Sequence, residues 1–161
     1  MKPDTVGRLD GGSAVLAPFE IPLQQAGLWS GGLLLTLDGE RPIDDLRPGD
    51  RIVTRDAGMS VLRRIEQQRL RCALVRIRAG SLGHTRPERD VILPAGQKIL
   101  VRDWRARALF GADQALVPAA RLIDGEFVAD AGCATMDLWR LGFDRPHILY
   151  LDGLEVASAP H

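Results

Sequence analysis

The chain has 161 residues, close to one ordinary domain and long enough to bury a core, with 21 basic and 21 acidic side chains that cancel to a net charge of +0. That balance leaves no net field to draw the chain to nucleic acid or to an anionic membrane surface. No apolar run approaches the roughly 20 residues that cross a bilayer, and residues 1–25 lack a basic start and an apolar middle, so the sequence reads as soluble with the cytoplasm as default compartment.

Residues 1–26 mix Gly, Pro, Asp and Ser without a sustained period and are expected to form a flexible leader, although PFEIPL fits a short edge strand. The folded domain is expected over 27–158, followed by a tail at 159–161. From Gly27 onward, short apolar segments (LLLTL, RIVT, ALVRIR, DVILP, KILVRDW, HILYL) are separated by turn signals at intervals of about ten residues, which predicts an all-β fold. Asp38-Gly39, Pro48-Gly49-Asp50, Asp124-Gly125 and Asp152-Gly153 supply the positive-φ tolerance or fixed φ of tight reversals. Asp38-Gly39, between LLLTL and ERPI, is the best hairpin candidate.

In IDDLRPGD, Ile43 and Leu46 stand three apart and Pro48 stops the pattern, which predicts a short helical turn. The arginines of VLRRIEQQRLRCALVRIRAG alternate with apolar residues and carry no interleaved aromatics, as on a solvated strand face and unlike a nucleic-acid groove. DWRARALFGADQALVPAARLIDGE has no clean period and predicts loops with small helical turns. The two cysteines, Cys72 and Cys133, lie far apart with no CxxC or CxxH spacing, so both are read as small buried apolar residues, with no zinc site and no disulfide. His84 falls in a polar loop and His161 at the terminus. No cofactor or metal is called for.

The order of LTLDGERPIDDLRPGDRIVTRD, then VRIRAGSLGHTRPERDVILPAGQKILVRDWRARALFGADQALVPAARLIDGE, then LGFDRPHILYLDGLEVAS resembles the Hint (hedgehog/intein) superfamily, in particular its bacterial stand-alone branch, over roughly residues 27–158. The resemblance implies a compact β horseshoe of pseudo-twofold halves with a few short helical turns. It also implies a chemistry. In active members a Cys or Ser at the first position attacks the preceding carbonyl to give a (thio)ester, a TxxH-like motif assists departure of the amide nitrogen, and inteins end on a His-Asn pair.

In that frame the nucleophile position falls on Gly27, which has no side chain. The TxxH-like motif maps onto Pro94 to Gln97, where Pro94 replaces the hydroxyl residue and Gln97 the imidazole; an amide donates a hydrogen bond and shuttles no proton near neutral pH. Pro146 takes the place of the histidine that follows an Asp-Arg pair in relatives, and His147 comes one residue later, on the opposite face if the segment is extended. On that reading His147 is a surface or edge-strand residue. Ala157 and Ser158 stand at the His-Asn ending. Asp144 persists, either as the aspartate that couples steps in relatives or as a turn former in FDRP. Ser30, the nearest hydroxyl to Gly27, reads as a surface turn serine.

Two functions remain from these residues. One is a catalytically silent domain that serves as a scaffold or interaction module for a protein partner, its oligomeric state open. The other is an active autoprocessing domain with a displaced nucleophile, Ser30, Cys72 or Cys133. A small ligand held in the old cleft is a third possibility.

Overall fold

The computed structural model describes residues 25–158. The predicted leader up to residue 24, including PFEIPL, and the tail with His161 lie outside the described residues. All described strand pairings are antiparallel and form two open sheets.

The first sheet orders β1 (Leu28–Trp29), β10 (Val128–Gly142), β6 (Arg64–Ile77) and β7 (Val91–Pro94) side by side. Its centre is the long ribbon of β6 against β10, from Ile77 opposite Val128 to Arg64 opposite Gly142, with a register shift between Asp130 and Cys133. Gly132, at φ +79, takes up that bulge. The arginines Arg69, Arg71 and Arg76 on β6 are exposed, as expected of a solvated strand face.

The second sheet orders β3 (Gly39–Pro42), β2 (Leu33–Thr36), β4 (Arg51–Thr54), β11 (Ile148–Leu151), β12 (Leu154–Ala157), β8 (Lys98–Val101) and β9 (Ala115–Pro118), with β5 (Gly58–Val61) attached to β4. Two of its hairpins follow the turn signals. In β11–β12, Leu151 faces Leu154 and the intervening Asp152 and Gly153 adopt φ +51 and +82, the pattern of a type I′ turn. In β2–β3 only Gly39 is at positive φ, +98, and the loop is closed by Thr36, whose hydroxyl accepts from the Asp38 N–H and donates to the Gly39 carbonyl. The IDDL segment forms the expected helical turn, a 3-10 turn at Ile43–Asp45 that buries Ile43.

Residues 103–126 are more ordered than the sequence predicts. They contain an α-helix, α1 (Trp104–Phe110), the strand β9 and a 3-10 turn at Ala119–Leu122. The helix starts where the Asp103 side chain accepts from the Arg105 N–H and stops at Gly111, φ +71. It escapes a periodicity search because it is two turns long and buries only Arg105 and Ala106. Strand β10 is also unannounced: VADAGCATMDLWRLG is rich in Ala, Gly and Asp, and continuous pairing to β6 overrides that weak preference.

Apolar residues from both sheets, among them Leu28, Leu34, Ile52, Leu93, Leu138, Phe143 and Leu149, form one core cluster. Among the described residues no helix is long and apolar enough to cross a membrane.

Candidate functional site

The start of β1, the turn between β7 and β8, and the ends of β10 and β12 meet at one cleft of about 370 Å³. Ala26, Gly27, Gln97, Pro146, Ala157 and Ser158 line it, with Leu116 and Trp139 adding apolar wall and Lys98 and Arg140 adding two cations. Residues 70 and 60 positions apart in the chain are joined there by one side chain. The Gln97 carbonyl oxygen accepts from the Gly27 N–H at 3.0 Å, while its amide nitrogen donates to the Ala157 carbonyl at 2.9 Å and to the Lys98 carbonyl at 3.1 Å.

Local structure explains why Gln97 can do this. Pro94 is buried at the end of β7, paired with Leu74. The Gln97 N–H closes a turn onto the Pro94 carbonyl at 3.1 Å, and Ala95 is anchored on both sides, donating to Ala73 and accepting from Ala120. Gln97 itself is 4% exposed. A buried amide must satisfy both its ends, and this one does.

The Hint domain profile matches residues 26–160. The chain belongs to the Hint domain family. The MchDnaB-1 intein is similar in structure at 13% identity with a TM-score of 0.51, the match covering 84% of this chain and 100% of that one. Its N145AA variant gives 14% identity, a TM-score of 0.51 and coverage of 85% and 100%. The gp41-1 intein stands at 8% identity and a TM-score of 0.49 over 82% of this chain and 98% of its own. The two MchDnaB-1 likenesses, with the family profile, establish a shared all-β Hint fold. None of the curated proteins matches the chain.

In this Hint domain Gly27 has no room for a side chain. A Cβ built there would stand 2.9 Å from the Leu138 Cβ and 3.1 Å from its Cδ1, and Leu138 is 1% exposed in the core. The backbone of Gly27 is not in the left-handed region, so crowding and not φ is what suits glycine here.

The residues after β10 divide between the cleft and its back. Pro146 lines the cleft. His147, one residue on, turns away from it, so that its Nδ1 lies 2.8 Å from the Asp56 Oδ2 and its ring meets Phe143 edge-on at 5.5 Å. His147 is buried, contrary to the surface position expected from sequence, because Asp56 satisfies its ring and Ser158 its backbone: the His147 N–H donates to the Ser158 hydroxyl at 2.9 Å. Asp144 is exposed, paired with Arg63 at 3.3 Å, and does not line the cleft.

Among the described residues, none of the displaced-nucleophile candidates hydrogen-bonds to a base. The Ser30 hydroxyl is buried and has no hydrogen-bond partner among the described residues, a departure from the surface serine expected; the Ser30 N–H ties this turn to the Asp137 carbonyl of β10. Cys72 is buried, and burial first, with the neighbouring Cys133 second, pushes its thiol up and away from thiolate. Cys133 is exposed at the bulge of β10, which corrects the expectation that both cysteines are buried. Its strand partner is Ala73, while Cys72 faces Ala134. The two sulfurs therefore leave opposite faces of the ribbon. His84 is exposed in the 78–90 loop. Among the described residues no group of three or more His, Cys, Asp and Glu is placed to hold a metal ion.

Nothing local marks Asp56, since TRDAG looks like an ordinary turn until the chain folds His147 against it. Burial alone would raise its carboxyl, but the Ile148 N–H at 3.0 Å and His147 outweigh it and hold the group below its ordinary value of 3.8. A folded value below the unfolded one contributes stability above the unfolded value and loses it as pH falls through the folded one. Unfolding in urea at stepped pH should show stability falling below about pH 4. Asp56→Asn should flatten that fall, and an unchanged slope would show that the carboxylate has no such role.

Proposed function

We propose that this Hint domain has kept the autoprocessing fold and lost the covalent step, and that it serves as a scaffold or interaction module for a protein partner. The observation that carries this reading is the Gln97 clamp. Acyl transfer needs a nucleophile beside the Ala26 carbonyl and an acid beside the nitrogen that leaves. At those places stand a glycine pressed on Leu138 and an amide whose hydrogen bonds are spent on joining the first and last strands of the domain.

The clamp also gives the old cleft a structural use. By bonding Gly27 to Ala157 through one buried side chain, Gln97 holds the entry and exit of the domain together where an active relative would part its chain. The remaining surface of the cleft, apolar with Lys98 and Arg140 beside it, is available for recognition.

Purified protein incubated with hydroxylamine or with dithiothreitol and then weighed by mass spectrometry is expected to keep its full mass. A fragment boundary between residues 26 and 30 would overturn the reading and restore the displaced-nucleophile alternative.

A further inference from the structure

We propose that Arg55, Arg86 and Arg102, gathered around the buried carboxylate of Glu155, form a binding site for a phosphate group. The site lies outside the Gln97 cleft and does not rest on the function proposed above.

Glu155 sits on β12 in the middle of the eight-stranded sheet with its side chain 3% exposed. Three separate segments deliver a guanidinium to it: the end of β4, the 78–90 loop and the residue after β8. Arg102 grips the carboxylate from one side, Nε donating at 3.1 Å to Oε1 and 3.2 Å to Oε2 and Nη2 donating at 2.7 Å to Oε2. Arg55 adds Nε at 3.1 Å from Oε1 and is held in place by the Gln114 carbonyl oxygen, 3.0 Å from its Nη2.

Arg102 hydrogen-bonds both carboxylate oxygens, and Arg55 pairs with Oε1 through charge. Arg86 arrives third. Its Nη1 stands 3.5 Å from Oε2, and among the described residues its guanidinium makes no hydrogen bond. Three positive charges against one negative charge leave an excess of two at one place, in a chain whose total is +0.

Nearby acids do not cancel it. Asp56 is turned to His147 and the Ile148 N–H, and Asp103 to Arg105. The three arginine side chains are 30%, 30% and 32% exposed, so their unused donors are open to solvent while the Glu155 oxygens are covered. A phosphate carries about −1.5 to −2 near pH 7 with three acceptor oxygens, which matches both the excess charge and the idle fork of Arg86.

The test uses the full chain and inorganic phosphate, with ionic strength held constant by sodium chloride. The Nε–Hε NMR signals of Arg55, Arg86 and Arg102 are expected to shift together along one saturable curve, and the thermal midpoint to rise. Arg86→Gln removes a guanidinium that makes no hydrogen bond among the described residues, so it should fold and bind phosphate about tenfold more weakly. A short phosphoserine peptide, run beside its unphosphorylated form, separates the sources: tighter binding than inorganic phosphate assigns the site to a phosphorylated chain, equal or weaker binding to the free ion. Arginine signals that move no further with phosphate than with chloride overturn the site, as does unchanged affinity in folded Arg86→Gln. Should that variant fail to fold, the titration of the unaltered chain decides alone.

Discussion

Asp152→Ala is expected to lower the unfolding free energy by about 2–6 kcal/mol, a large part of the ~5–15 kcal/mol that holds a typical domain together. The Asp152 side chain is 3% exposed at the β11–β12 turn, where it accepts from the Trp29 indole N–H at 2.7 Å and from the Leu33 N–H at 3.0 Å and pairs with Arg89 at 3.1 Å. Alanine leaves the buried Trp29 indole N–H and the part-buried Leu33 N–H without an acceptor, a loss of about 1–3 kcal/mol each. Arg89 is half exposed and finds water, so it adds little to the loss. The same residue stands at φ +51, which asparagine tolerates and alanine resists. Asp152→Asn should therefore lie between the two. Urea unfolding followed by tryptophan fluorescence reads both effects, and an Asp152→Ala midpoint within error of the unaltered chain would show that this hub contributes nothing.

That hub illustrates what a sequence conceals. Asp152-Gly153 is visible as a turn signal because only certain residues accept positive φ, and LLLTL, RIVT and KILV are visible as strands because apolar branched residues cluster between such turns. The turn residue's second duty, to the Trp29 indole 123 positions away, leaves no local trace. Strand β10 fails to announce itself for the same reason: its stability comes from β6 and not from its own composition. Family resemblance is what points to Gly27, Pro94, Gln97, Asp144, Pro146, His147, Ala157 and Ser158. Five of the eight line one cleft; Pro94 is buried just behind the turn that carries Gln97, while Asp144 is exposed beside Arg63 and His147 turns to Asp56. The Asp56–His147 pair, the Leu138 contact of Gly27 and the arginines around Glu155 depend on pairings between distant segments and could be read only from coordinates.

A nucleophile placed in the cleft should make the chain cut itself, provided that room is made for it. Gly27→Cys alone is expected to destabilise the fold by roughly 1–3 kcal/mol, as overpacking does, and to cleave nothing, since its Cβ would be forced to 2.9 Å from Leu138 while Gln97 supplies no proton. Leu138→Ala removes the Cγ and Cδ1 contacts at 3.3 and 3.1 Å, leaving the Cβ approach for a small shift of β1 to relieve. Gln97→His gives an imidazole where the amide now meets the Gly27 N–H at 3.0 Å, within reach of the nitrogen that must leave. Pro94→Thr returns the hydroxyl at the head of that turn. In the fourfold variant the introduced thiol would attack the Ala26 carbonyl, the C–N bond would break as the imidazole protonates the nitrogen, and a thioester would join residue 26 to the sulfur. Dithiothreitol would then release residues 1–26 as a thioester of the added thiol, a loss read directly by mass. A folded fourfold variant that stays whole, with Gly27→Cys equally whole and no less stable than the unaltered chain, would mean that Gly27 does not stand at the place where relatives attack.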